Sequence, residues 1–501
     1  MKDKKKKRKK LPPFVKLLLF IVNVLTIAFL AMTYYMNVIP LKYFIAIVVV
    51  VVILDYFSCL MLIKRNKKKR IFGLFLTLIL SIAFGVGIFY ESKTNYFLEA
   101  ITTTKKSSVN YVVVTRKDSS FNDIKDIDGK LLGILAEAEE PYDKAKETIG
   151  KEVSTNNKEF QDTYSLSDSL VSREIDASLI EESYHKIFEE NYEMYANNTK
   201  VLYTFTVEYE EKEIKKDTDI TKNSFNVFIS GIDTYGNINV NSRSDVNMVV
   251  TVNPNTHKIS LVDIPRDYYV HIDKKDGLKD KLTHAGITGV DTSVKTVEKL
   301  LDIDINYYVK FNFTSLVKIV NKIGPIRVYS DESFVSGIYD PGVKKVYRYY
   351  KGWNTLTGEE ALSFARERHA FDDGDRVRGK HQQQLIEAIL KKVISPSIIV
   401  NYPSLLDALS ETFVTNVEDE NLKKMIKFQI DKNIDWEIEK YVLNGDNGYE
   451  YTYSYPRQKL YVMIPKEESL NEAKELIKRT YSWKCIKYYA FSLIYKLYVI
   501  K

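Results

Sequence analysis

Five charged residues stand at the ends of three short apolar runs within residues 224–268. Asp233 follows the run Asn226–Ser230, Arg243 and Asp245 precede Met248–Val252, and Arg266 and Asp267 follow Ile259–Ile264. Carboxylates so gathered suit a hard divalent cation. Guanidinium forks suit a phosphate, which they grip bidentately. A second set follows at Arg366, Arg368, Asp375, Arg376, Arg378 and Lys380, dense in guanidinium near a helix start. Such a start can hold a pyrophosphate by Arg forks and helix N-terminus together. Together the two sets fit one anionic ligand plus Mg²⁺. The competing reading of each set is ordinary surface charge, ion pairs at loop ends or a solvated basic face.

Other chemistries are excluded by spacing. Gly374-Asp-Arg-Val-Arg-Gly379-Lys380 follows a nucleotide-binding P-loop until the next position, His381, where Ser or Thr is needed. No buried strand precedes it, so it is rejected. The six His residues show no zinc-ligand spacing. There is no Gly-x-Ser-x-Gly nucleophile turn.

The elements that must position these groups read as follows. The three apolar runs are β-branched and bounded by Gly, Asn, Asp or Pro, as buried strands are. A helix then carries Val294, Val297, Leu300 and Leu301. A strand at Ile305–Phe311, a helix around Phe313–Val320 and a strand near Ile326–Tyr329 come next. The helix with Ala361, Leu362 and Phe364 leads into the arginine cluster, and a long helix carries Leu385, Ile386, Ile389, Leu390, Val393 and Ile394. Helices at Leu405–Phe413, Leu422–Ile430 and Ser469–Ile477 and a strand at Leu460–Ile464 are expected to complete the same domain's layers. Upstream, residues 92–220 form a small α/β module. Its strands are expected at Tyr111–Thr115, Lys130–Leu135 and Leu202–Tyr209, and helices at Tyr142–Ile149 and Asp168–Arg173. It shows no catalytic constellation, so a binding or spacing role is expected of it.

The chain has 501 residues, 45% hydrophobic and 28% charged, enough for two or three globular domains. Leu17–Leu41, Tyr43–Ile63 and Ile71–Tyr90 are each long and apolar enough to cross a membrane as helices. Asp55 is the one charge within them, and is read as structurally tolerated. Residues 1–10 hold eight basic residues, and Lys64–Arg70 holds six more. Basic segments stay inside, so the N-terminus is expected in the cytoplasm and everything beyond about residue 92 outside. The two clusters exceed the whole chain's net charge of +7, so the remainder is acidic and offers no nucleic-acid footprint. Two cysteines give no disulfide framework. The expected division is a basic tail over 1–16, a three-helix anchor over 17–91, an accessory module over 92–220, a main domain over 221–482 and an apolar tail over 483–501.

Seven segments in order, SGIDTYG, NSRSDVNMVVTVNP, KISLVDIPRDYYV, KDKLTHAG, INYYVKFNF, LTGEEALSFARER and GDRVRGKHQQ, resemble the LytR-CpsA-Psr family. The anchor and extra outer module resemble its capsule-type branch. The resemblance implies an α/β/α sandwich with a lipid-holding pocket. It implies a phosphotransferase moving an anionic glycopolymer, capsular polysaccharide or teichoic acid, from undecaprenyl pyrophosphate to peptidoglycan. By motif, Asp233 and Asp245 match the Mg²⁺ (or Mn²⁺) ligands. Arg243, Arg266, Arg366, Arg368 and Arg378 match the pyrophosphate-binding arginines. Asp375 and Gln382 match the remaining polar positions near the phosphates. Asp375 is the candidate to take the acceptor hydroxyl's proton. His381 stands where the family commonly has Asn. A non-catalytic envelope regulator binding lipid-linked polymer, or a polyprenyl-pyrophosphate hydrolase, remain the alternatives.

Overall fold

The computed structural model describes residues 11–482, apart from 103–105, 137–139, 211–213, 215, 274, 276–278, 341–342, 373 and 395–411. The chain divides into two compact units. The first joins residues 1–100 with 418–435. Its helices are Pro13–Met36, Leu41–Ile63 and Lys67–Thr102, and in each the apolar stretch is long enough to cross a membrane. The third begins inside the basic cluster and continues well past Tyr90. Apolar composition marks the part suited to lipid, whereas Lys, Glu and Ala carry a helix onward at little cost.

Helix Asp419–Lys432, expected among the layers of the main domain, groups by its contacts with the three long helices. Lys427 donates to Asn37 Oδ1 (2.7 Å), Asp431 pairs with Lys42 (2.8 Å), and Lys423 donates to Asn95 Oδ1 (3.3 Å). The helix expected at Leu405–Phe413 lies mostly outside the described residues. Its last residue opens a strand, Phe413–Thr415.

The second unit holds two sheets. The accessory sheet has the strand order 156–160, 131–135, 177–181, 106–116, 199–210. The main sheet runs Phe413–Thr415, Tyr307–Asn312, Phe225–Ile232, Ser244–Asn253, Lys258–Asp263, Glu437–Val442. Its central strands are apolar because both faces are covered. On one face Phe228, Val249 and Val262 cluster with Val294, Val297, Leu476 and Ile477 of helices Val290–Leu301 and Glu467–Tyr481. A separate cluster gathers Leu316, Val320, Leu362, Phe364 and Leu385 from helices Phe313–Ile323, Gly358–Arg366 and Gly374–Ile394. The result is the expected α/β/α layering.

Candidate active site

The central strands deliver their charged ends to one place. Phe225–Ile232 pairs antiparallel with Ser244–Asn253, with a register shift after Gly231. Val246 opposes Gly231 and Ser244 opposes Ile232, which leaves Asp245 as the extra residue. A bulge of this kind re-aims a side chain. Asp245, expected just ahead of its strand, lies within it. Gly286 packs against this segment, and a Cβ there would meet Ser242 O at 2.5 Å and Ser244 N at 2.9 Å.

The charged groups form an alternating network. Arg243 Nη2 lies 3.3 Å from Asp233 Oδ2, and Arg266 Nη1 lies 2.9 Å from Asp245 Oδ2. Thr283 donates to Asp245 Oδ1 (3.3 Å), and Lys281 pairs with Asp267 (3.3 Å). Arg366 places its guanidinium 4.2 Å from the Phe313 ring centroid and donates to Tyr235 OH (3.2 Å). Burial raises Asp233 above the usual carboxylate range, and the neighbouring charge of Asp245 adds to this against three arginines. Burial also opposes the charge on Asp245, but Arg266, Arg378 and Arg243 overcome it and hold that carboxyl low.

These residues line a cavity of about 430 Å³. Asp233, Arg243, Asp245, Arg266, Arg366, Arg368, Arg378 and Gln382 all border it. Ile232, Val246, Phe311, Phe313, Leu316 and Leu362 give it apolar walls. Gln382 is buried, with its amide 3.4 Å from Ala365 O. The backbone of Asp375 lies in the first turn of helix Gly374–Ile394, while its side chain lies outside the described residues. The expected cluster is divided at two positions. Arg376 donates to Gly445 O (3.0 Å) and Lys380 pairs with Asp331 (2.6 Å), and neither borders the cavity.

His381 is structural. It stacks on Phe364 at 4.0 Å, places Nδ1 3.1 Å from Phe364 O, and burial lowers its pKa to about 4. It clamps the helix of Arg378 onto the helix of Arg366.

Sequence reasoning missed Glu190, from the accessory module. Its Oε2 accepts from Arg243 Nη1 at 2.8 Å, and it borders the same cavity. Nothing in its local sequence marks it, since it is one charge on a polar helix.

Among the described residues no group of three or more His, Cys, Asp or Glu could hold a metal ion. Four carboxylates border the cavity, Asp233, Asp245, Glu190 and Glu367; the first two are the pair that the motifs assign to a cation. That pair suits Mg²⁺, which takes one or two carboxylates and completes its shell with waters and substrate phosphates. The mutual destabilisation of the two carboxylates is what a cation would relieve.

Residues 190–475 match the model of the LytR_cpsA_psr family. The polyisoprenyl-teichoic acid–peptidoglycan teichoic acid transferase TagU of Enterococcus faecalis is 36% identical over 222 residues, covering 43% of this chain and 70% of that protein. The protein of the same name from Bacillus cereus is 33% identical over 246 residues, covering 47% and 76%. The crystal structure of B. subtilis TagV aligns over 53% of this chain and 99% of its own, at 26% identity and a TM-score of 0.44.

Proposed function

The chain belongs to the LytR-CpsA-Psr family, and we propose that it transfers an anionic glycopolymer from a polyprenyl-pyrophosphate carrier to a peptidoglycan hydroxyl. The observation that carries this reading is one cavity holding five arginines and two aspartates against apolar walls. Such a cavity suits a ligand with a pyrophosphate head and a hydrocarbon tail. The two relatives above are named as teichoic acid transferases, which supports the same substrate class here. Capsular polysaccharide is the other polymer considered.

In this reading Arg243, Arg266, Arg366, Arg368 and Arg378 hold the pyrophosphate by charge-assisted hydrogen bonds. Phe313 keeps Arg366 pointed by its ring face. The acceptor hydroxyl oxygen attacks the phosphorus nearest the sugar. A new P–O bond forms, the bond from that phosphorus to the bridging oxygen breaks, and polyprenyl monophosphate leaves. The arginines are in place before charge builds on the leaving phosphate, so little reorganisation is needed. Asp375, three residues ahead of Arg378 on one helix, is proposed to take the hydroxyl proton. Asp233 and Asp245 would hold Mg²⁺, which supplies further neutralisation of the phosphates.

The site is proposed to face outward from the cytoplasmic membrane. Basic residues 64–70 flank the inner end of the second and third spans. Lys42, Asn37 and Asn95 gather on helix Asp419–Lys432 at the opposite end.

Donor binding tests the assignment. Full-length protein in detergent should bind a polyprenyl-pyrophosphoryl sugar, and Arg266→Ala or Arg366→Ala should weaken it by about tenfold or more for a lost charged hydrogen bond. Unchanged affinity in both variants would remove the arginines from the donor site.

A further inference from the structure

A second cavity, of about 240 Å³, meets the first at Asp233. One wall is the segment from Asp233 to Ser242 of the main domain. The other belongs to the accessory module, with Asn110, Glu182, Ser183 and Lys186. Its chemistry differs from that of the first. Lys186 and Glu182 neutralise each other at 2.8 Å, and Asn110 Nδ2 donates to Glu182 at 2.8 Å. Apart from Asp233, what remains is amides and hydroxyls, with the half-exposed ring of Tyr235 alongside.

Asn241 supplies an independent sign of a ligand. Its side chain is 95% buried at the cavity wall, its relative exposure being 5%. Its Nδ2 donates to Tyr209 OH at 2.7 Å, which fixes the amide. Among the described residues its Oδ1 has no hydrogen-bond partner, and neither has Thr234 Oγ1 on the same wall. A buried acceptor left so costs about 1–3 kcal/mol. Both residues line one polar cavity, so a ligand that brings its own donors there would satisfy them.

We propose that this second cavity is the acceptor subsite, which binds a neutral N-acetylated sugar ring of a glycan strand and brings its hydroxyl to Asp233. The proposal rests on the phosphotransfer reading above. Hydroxyl and acetamido N–H donors match the open acceptors of Asn241 and Thr234, and the apolar face of a sugar ring matches Tyr235. The arginines occupy the first cavity and hold the leaving phosphate there. An attacking hydroxyl must approach in line from elsewhere, and the second cavity shares Asp233 with the first while being lined by none of its arginines. With no arginine and its one lysine paired to Glu182, the lining disfavours a polyanionic donor and suits an uncharged acceptor.

The accessory module is bonded tightly enough to serve as a wall. Ser108 N donates to Asn239 O (2.9 Å), and Asn241 N donates to Ser108 O (2.8 Å). These two bonds run directly between the module's strand and the cavity segment. The module therefore contributes half of an acceptor site.

The test uses full-length protein in detergent, a soluble peptidoglycan oligosaccharide and a synthetic polyprenyl-pyrophosphoryl sugar. Ser183→Trp fills the cavity from a half-exposed position, and Asn241→Ala removes the open acceptor. Both should raise the oligosaccharide Kd and acceptor KM by about tenfold or more, with donor Kd kept within about twofold. Unchanged oligosaccharide affinity in both variants overturns the proposal. So does a rise in donor Kd instead, since the cavity would then take the donor's own sugar. The binding arm needs no turnover. Oligosaccharide binding lost in Ser183→Trp, with no transfer by the unaltered protein, would uphold the subsite and sink the transferase reading. Transfer by Ser183→Trp at unchanged acceptor KM would do the reverse.

Discussion

Asp263 ends the strand Lys258–Asp263 with its carboxyl wholly buried, and a Cβ added at Gly379 would collide with its Oδ2. Burial pushes its pKa up to about 7, partly offset by Arg378. The folded chain thus keeps a proton that the unfolded chain releases. This group's contribution is greatest below the ordinary carboxylate pKa and falls as pH rises toward about 7. Asp263→Asn should remove that decline and stabilise the protein at pH 8 by roughly 1–4 kcal/mol. Melting curves at pH 5 and pH 8 check this; an undiminished pH dependence in the variant would contradict it. The residues of the arginine-lined cavity were legible because their motifs pair each charge with a strand end or helix start. Glu190 was not legible, because its partner Arg243 lies 53 positions away on another module.

At the scale of elements, the bulge at Asp245 and the short helix Ala285–Thr288 form one device. Gly286 lets that helix touch the backbone that carries Arg243 and Asp245. Gly286→Ala should push Ser242–Ser244 aside, cost about 1–3 kcal/mol by overpacking and lower transfer more than donor binding. A variant with normal melting and normal transfer would show that the contact gives way freely. The central strands were readable as dense β-branched runs. Asn156–Phe160, NNKEF, was not, since it is a polar edge strand whose structure is imposed by pairing with Leu131–Leu135. The hairpin Phe334–Asp340 with Val343–Tyr349 escaped for a similar reason, its lysines, arginine and glycine diluting the pattern.

At the scale of the molecule, accessory module and main domain share a buried seam. Tyr455 of the main domain packs against Tyr164 and Phe188 of the module, with ring centroids 5.7 and 6.0 Å apart. Tyr455→Ala should cost about 3–5 kcal/mol and loosen the module, seen as faster proteolytic release of the module and a weaker hold on acceptor. Proteolysis unchanged from the parent protein would mean the seam is held elsewhere. The seam could not be read from sequence, because Tyr455 lies more than 260 residues from Tyr164 and Phe188 and each resembles an ordinary core residue.

The most direct test supplies the full-length protein with a synthetic polyprenyl-pyrophosphoryl sugar, a peptidoglycan oligomer and Mg²⁺, and identifies the products by mass spectrometry. The account predicts a phosphodiester joining sugar to oligomer, with polyprenyl monophosphate released in equal amount, both lost in Arg266→Ala. Donor cleaved only to a free sugar phosphate, or bound and left intact, would contradict it.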